Sequence, residues 1–333
     1  VKRKTSFYVI IVIVLLLISG CSKGVEKEVK PQQTSIKLEN TSFNSKIEST
    51  ANRDKMPNTK SGGISLGLYN LDGNIEPKFN LEIEENQSIK KFLTIGNLIE
   101  KDRVYKIMLF VDYKQEEFKV DNREASKEFT FKMKAGETLE IPFEISPQKK
   151  GLHDILFVIA KYPDNKRLDE DYRKNTDLTN LLFYRFSTVV GGDDSLPENI
   201  KFNEYGEKKQ TDNLDGLFMS KEDDFKRWLI QDVSKNETLS FNTKVGNNSN
   251  QQKTFALITL LDWEQVNIAK EQKVAFFDLP TNTIVNLKSE IPIKKEPGVY
   301  DLTPILISNP FQKLEVGNRQ VETAIRVGIN VQK

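Results

Sequence analysis

One cysteine and one histidine are all that 333 residues carry, and this scarcity removes whole classes of chemistry. A single Cys closes no disulfide within the chain, and the two residues together make neither a Cys-rich zinc site nor a two-His metal motif. Charge of one sign is missing too. The 49 Lys plus Arg stand against 48 Asp plus Glu, a net +1, so nothing favours nucleic acid, whose binding rests on clustered cations neutralising phosphates. No Walker, dinucleotide-binding or zinc motif occurs in the sequence. No apolar run reaches the roughly 20 residues that a membrane-crossing helix needs; the run Phe7–Ile18 has twelve. What remains is 38% hydrophobic content, enough for a core, in a length that suits two domains of about 100–200 residues.

Lys2, Arg3 and Lys4 precede the apolar run, and Leu17-Ile18-Ser19-Gly20-Cys21 closes it. A basic start, a short apolar stretch and small residues before a cleavage point mark residues 1–20 as a signal peptide. The last five residues resemble the lipobox of bacterial lipoproteins, with Ile18 and Ser19 at positions where Leu and Ala are commoner. The resemblance implies that Cys21 becomes the first residue of the mature chain and carries diacylglycerol on its thiol. Two acyl chains suffice for stable anchoring. The mature protein is then expected at the outer face of the cytoplasmic membrane, with a Gram-positive cell the first expectation. Ser22 supplies no Asp retention signal for a Gram-negative one.

Between Ser22 and about Gly62 the composition turns to Lys, Glu, Ser, Thr, Asn and Gln. Such segments bury too little apolar surface to offset ordering entropy. Residues 21–62 therefore read as the lipidated Cys and a flexible tether.

The rest of the chain repeats itself. At an offset of 150, Ile89, Ile95, Gly96, Asn97, Asp112, Tyr113 and Gln115 fall on Leu239, Val245, Gly246, Asn247, Asp262, Trp263 and Gln265. At 147, Gly151-Leu152-His153-Asp154 meets Gly298-Val299-Tyr300-Asp301, and Tyr162-Pro163 meets Asn309-Pro310. Matches at a fixed spacing mean two copies of one unit. The copies are placed at 63–192 and 193–333, joined at Gly191-Gly192-Asp193-Asp194.

Each copy reads as strands: Ser65–Tyr69, Phe79–Ile83, Ile89–Ile95, Val104–Tyr113, Phe129–Met133, Leu139–Ile145, Leu152–Lys161 and Leu182–Val190 are β-branched or aromatic runs punctuated by Gly, Pro, Asn and Asp. The expected fold class is all-β, with two tandem β-sandwich domains. Glu296-Pro297-Gly298-Val299-Tyr300-Asp301-Leu302 is similar to the approach to strand F of immunoglobulin-like domains, where a Tyr hydroxyl ties back the preceding corner. In the first copy His153 holds that position. Tyr113 and Trp263 alternate in phase with Ile107, Leu109, Val111, Leu257 and Leu261, which places their rings in the core of their own sandwich. Trp228 reads as core as well, and a sugar-stacking Trp is the competing reading.

Gly63-Ile64-Ser65-Leu66-Gly67 matches G-x-S-x-G, and Ser65, an Asp and His153 occur in the chain order of an α/β-hydrolase triad. That motif needs a strand, a strained turn and a helix, whereas here it opens a strand. Its one available base is replaced by Tyr in the second copy. No catalytic residue is therefore assigned, although a pair of carboxylates acting on a glycoside is not separable by sequence.

The segment Lys161–Asn180 is the unusual one, about twenty residues between two strands and rich in charge. Arg167, Tyr172 and Arg173 are residue types that anchor interfaces, so this loop is a candidate partner-binding site, with a merely solvated loop as the alternative. Asp164, Asp169, Asp171 and Asp177, or Asp193 with Asp194, are candidate calcium ligands, without EF-hand spacing. No other cofactor is implied. The expected function is binding: a module that meets another envelope protein, with cell-wall glycan as the second candidate and an envelope hydrolase as the third.

Overall fold

Alternation of apolar residues sets ten strands in the first copy. They are β1 (Ile64–Tyr69), β2 (Asn80–Ile83), β3 (Ile89–Asn97), β4 (Arg103–Val111), β5 (Lys114–Glu116), β6 (Lys119–Val120), β7 (Glu128–Met133), β8 (Thr138–Ile145), β9 (Gly151–Lys161) and, after a one-and-a-half-turn helix α1 (Glu170–Asn175), β10 (Leu181–Val190). The second copy contributes β11 (Glu207–Gln210), β12 (Gly216–Ser220), β13 (Ile230–Ser234), β14 (Thr238–Asn247), β15 (Lys253–Leu261), β16 (Glu264–Gln265), β17 (Val274–Leu279), β18 (Thr283–Pro292), β19 (Gly298–Ser308), β20 (Val321–Thr323) and β21 (Val327–Gln332). This computed structural model describes residues 36–46, 62–175, 181–197 and 200–333. The expected signal peptide, Cys21, most of the expected tether and Asp177 lie outside the described residues.

Each copy is a sandwich of two sheets. In the first, β1-β3-β8-β6 faces β2-β10-β9-β4-β5, with β7 also on β4; in the second, β11-β18-β14-β12 faces β13-β21-β19-β15-β16, with β17 on β15 and β20 on β19. No sheet is shared between copies, so the all-β tandem architecture expected from the sequence is the observed one. Register confirms the repeat: Lys106 pairs with Thr130 on β7 as Ala256 pairs with Phe276 on β17, and Gly151 opposes Val190 as Gly298 opposes Val331.

The immunoglobulin-like corner is present. Tyr300 Oη donates to the Glu296 carbonyl at 2.7 Å. In the first copy His153 Nε2 lies 2.7 Å from the Lys149 carbonyl, the same bond from a different side chain. Asn97 and Asn247, both fully buried, likewise repeat one role. Asn97 Nδ2 donates to Lys101 O and Lys134 O, and Asn247 Nδ2 to Gln251 O and Leu279 O, satisfying carbonyls where a strand pair ends.

The central strands read as nearly continuous apolar runs because both of their faces are covered. Ile107, Leu109 and Val111 of β4 point into the core of the first sandwich. Met108 and Phe110 point the other way, into a cluster shared with Ala256, Ile258 and Leu260 of β15. Both copies therefore belong to one compact unit, residues 32–333.

Tyr113 and Trp263 are not where alternation placed them. Strands β4 and β15 end at Val111 and Leu261, and the next two residues form a tight turn with positive φ: 49° and 66° at Asp112 and Tyr113, 55° and 72° at Asp262 and Trp263. The turn breaks the period of two, and both rings join the shared cluster between the copies. Left-handed backbone at a bulky aromatic costs of order 1–3 kcal/mol and persists only where its surroundings hold it. Trp228 is core as expected, beside Phe241 at 6.0 Å.

Candidate functional site

The turns at Tyr113 and Trp263 project the following strands, β5 and β16, at each other. Gln115 N–H donates to Gln265 Oε1 at 2.8 Å, and Gln265 N–H donates to Gln115 Oε1 at 2.9 Å. The amide nitrogens reach on, Gln115 Nε2 to Trp263 O and Gln265 Nε2 to Tyr113 O, at 2.9 and 2.8 Å. The two copies thus exchange the same four bonds across a local two-fold relationship.

Buried ion pairs lie to either side. In the first copy Arg185 grips Asp154, with Nε 2.9 Å from Oδ1 and Nη2 2.5 Å from Oδ2. Tyr113 Oη donates to the same carboxylate at 2.5 Å. Arg185 then crosses to the second copy, donating to the carbonyls of Ser308 and Asn309 at 2.6 and 3.1 Å. Burial works against the Arg185 cation, but the Asp154 charge more than offsets it and its pKa is raised. Burial, reinforced by Asp154, holds the Tyr113 phenol well above its ordinary range.

In the second copy Asp301 takes the place of Asp154 and Arg326 that of Arg185, at 3.0 Å. A second guanidinium enters here, and it is Arg173 from the long loop of the first copy, 2.5 Å from Asp301 Oδ1. Gly328 makes room for it: a Cβ there would lie 2.7 Å from Leu168 Cδ2 and 3.0 Å from Arg173 Cζ. Trp263 Nε1 donates to Pro163 O at 3.2 Å, and Lys166 pairs with Asp262. The loop of the second copy answers in kind, with Phe311 N–H on Tyr113 Oη at 3.1 Å and Leu314 N–H on Ser187 Oγ at 2.9 Å. Arg319 lies over the Phe79 ring at 3.6 Å.

Of the candidate partner-binding residues in Lys161–Asn180, Arg167 is exposed, Tyr172 is half-buried and Arg173 is turned inward. Arg173 is 1% exposed and consumed by Asp301. Its Nε donates to Arg167 O, while Arg167 and Tyr172 pack on each other, guanidinium to ring centroid 5.1 Å. Of the candidate calcium ligands, Asp169 caps α1 by accepting Tyr172 N–H at 2.8 Å and pairs with Arg167, a bond set that lowers its pKa. Asp164 and Asp171 are exposed, and Asp177 lies outside the described residues. No group of three or more potential metal ligands forms among the described residues. At the joint, Asp193 accepts Ser195 N–H and Asp194 pairs with Lys313 at 3.0 Å.

Ser65 and His153 are not brought together by a hydrogen bond. Both ring nitrogens of His153 face acceptors, Nδ1 at 2.7 Å from Asp112 Oδ2 and Nε2 at 2.7 Å from Lys149 O. Burial lowers its pKa, but the hydrogen bond and charge of Asp112 outweigh that and the net shift is upward. The ring is held in place at both nitrogens by these two contacts.

A cleft of about 1200 Å³ lies between the copies. Glu117, Lys127, Gln148, Lys201, Tyr205 and Lys273 line it, along with Phe276 and Phe311. Donors and acceptors of both charge signs beside partly buried aromatics suit recognition of a polar, extended ligand. The sequence held no signal for this cleft, because its walls come from both copies.

No family model matches this chain, and no curated protein matches it. Among solved structures it is similar to the CARDB domain of a Pyrococcus furiosus protein in complex with di-metal ions, at 13% identity over 39% of this chain and 94% of that one, TM-score 0.24. A PapD-like domain of human CEP192 shares 8% identity over 45% of this chain and 98% of that one, TM-score 0.23. The secreted serine protease VesC of Vibrio cholerae shares 8% over 76% of this chain, which spans 50% of that one, TM-score 0.24. At such scores the sandwich assignment rests on the strand order and cores of this chain.

Proposed function

We propose that this chain is a lipoprotein held at the outer face of the cytoplasmic membrane by diacylglycerol on Cys21, and that it acts by binding another envelope protein in the cleft between its copies. The observation that carries the binding reading is the reciprocal clasp. It holds the cleft walls in one arrangement before any partner arrives, and a preformed surface avoids most of the ordering cost of association. The lipobox at Leu17–Cys21 supports the location. Cell-wall glycan is the second reading, favoured by Tyr205 standing among amide, carboxylate and ammonium groups in the cleft.

Two experiments test this. Labelled palmitate should enter the wild-type protein in cells and not Cys21→Ala; label in neither removes the anchor. Crosslinking on intact cells should capture one specific protein with the wild type and lose it with the surface pair Lys201→Glu and Lys273→Glu. Retention on purified cell-wall polymer with no captured protein moves the reading to glycan. Capture that survives the charge reversal places the partner elsewhere on the surface.

A further inference from the structure

Residues 36–46 were expected to belong to the tether, yet they lie along the first sandwich. Glu39 N–H donates to Thr130 O on β7 at 2.8 Å. Asn44 N–H and Ser45 N–H both donate to the Asp121 carboxylate, at 2.7 and 3.0 Å, and Ser45 Oγ adds a third bond at 2.8 Å. Arg123 Nη2 donates to Asn40 O at 2.6 Å. Its guanidinium lies 5.2 Å from the Phe43 ring and 5.0 Å from the Phe129 ring, and Phe43 packs on the core of the first copy.

The second copy shows that this contact belongs to the fold. Thr130 and Phe276 hold the same register position, and Phe276 O accepts Asn203 N–H at 2.8 Å from the segment that precedes β11, the first strand of the second copy. Phe202 of that segment bridges Phe276 in parallel. Each sandwich is therefore closed at the edge of β7 or β17 by the chain that precedes its first strand. Covering such an edge is how sheets avoid unpaired backbone groups.

Resting on the reading that Cys21 is the lipid anchor, we propose that residues 36–46 are a fixed part of the first sandwich and that the reach of the protein from the membrane is set by residues 22–35 alone. A chain spans at most about 3.4 Å per residue. Fifteen steps from Cys21 to Ile36 then limit the docked arm to roughly 50 Å from the anchor. Were the arm free, the 43 steps to β1 at Ile64 would permit roughly 150 Å. The docked arm thus cuts the longest possible reach to about a third of what the sequence between Cys21 and β1 would allow.

The single cysteine makes the test direct. The chain from Cys21 onward is coupled through its thiol to a maleimide lipid in a supported bilayer, and the height of the protein layer is read by neutron reflectometry. Twenty Gly-Ser residues are inserted either ahead of residue 36 or between residues 46 and 62, both outside the described structure. The upstream insertion is expected to raise the layer by roughly 10 Å, from the square-root growth of a flexible linker, and the downstream one to leave it unchanged. Equal rises for both insertions, or no rise for either, would overturn the proposal. Hydrogen exchange on the soluble chain gives a second reading: amides of Glu39, Asn44 and Ser45 exchanging as fast as an unfolded peptide also sink it. Neither measurement depends on lipidation in cells, so failure of the palmitate experiment and failure of the docked arm are distinguishable.

Discussion

Gln115 and Gln265 stand 150 positions apart and complete each other's backbone: each side-chain oxygen accepts the other's main-chain N–H, at 2.9 and 2.8 Å. Neither copy can satisfy that strand end by itself. The reciprocal bonds link β5 and β16, and they lie beside an apolar cluster fed by β4, β9, β15 and β19. Two sandwiches thereby share a third core.

Removing either glutamine orphans groups on both copies. Gln115→Ala and Gln265→Ala are each expected to cost about 1–3 kcal/mol, the penalty for an unsatisfied buried polar group. Because the bonds are mutual, the double variant should fall short of the sum by about 0.5–3 kcal/mol. Urea denaturation of the four proteins checks this; strict additivity contradicts a coupled pair.

The two buried ion clusters should respond differently. Arg185→Met strands the Asp154 carboxylate at 1% exposure with Tyr113, among the described residues, left to bond it, and breaking such a pair costs about 3–5 kcal/mol. Asp301→Asn leaves both Arg173 and Arg326 uncompensated and should cost at least as much. Arg173→Met keeps the one-to-one pair of Asp301 with Arg326 and should cost clearly less. Chemical denaturation ranks the three variants, and an Arg173→Met as damaging as Asp301→Asn would contradict this ordering.

Gly328 is required by the loop that fills the space above it. Gly328→Ala places a Cβ 3.0 Å from Arg173 Nε and Cζ, so the guanidinium must leave Asp301 or the strand must shift. A loss of about 1–3 kcal/mol is expected, as for other overpacked sites. In the double variant with Arg173→Ala the loss from the alanine should shrink, which thermal denaturation reads.

His153 makes stability depend on pH, with a known sign. Its folded pKa lies above the ordinary value of 6.5, so the native state binds the proton more tightly than the unfolded chain. The contribution is fully present below about 6.5 and is lost as pH rises through the folded pKa. As the only histidine, it gives a single imidazole resonance whose NMR titration should show a midpoint above 6.5. His153→Tyr, which restores the side chain used in the second copy, should keep the bond to Lys149 O while removing this pH dependence.

The repeat that the sequence displays at Asp112-Tyr113-x-Gln115, at Asp154 and at Tyr162-Pro163 turns out to be a map of the contact between the copies. Those positions match because a local two-fold contact makes the same demand on both partners. Asp112 and Asp262 each donate a backbone N–H to the carbonyl of Asp154 and Asp301, at 2.9 and 2.8 Å, and Tyr162 and Asn309 share a φ of 51°. Strand positions, the two sandwiches and the Tyr300 corner were legible because alternation and turn residues act over a few neighbours. The fate of Arg173 was not. A charged loop reads as solvated or outward-facing until something shows that Asp301, 128 residues away, needs its charge.

The sequence by itself determined the all-β tandem fold and the narrowness of the chemistry available, since these follow from local periodicity, composition and residue counts. Tertiary structure alone decided that Tyr113 and Trp263 leave their own cores, that the long loop closes a clasp, that residues 36–46 are part of a sandwich, and where a cleft opens. Each of these depends on which distant strand supplies the missing hydrogen-bond partner, and that choice is made by packing two bodies together, a constraint no local window contains.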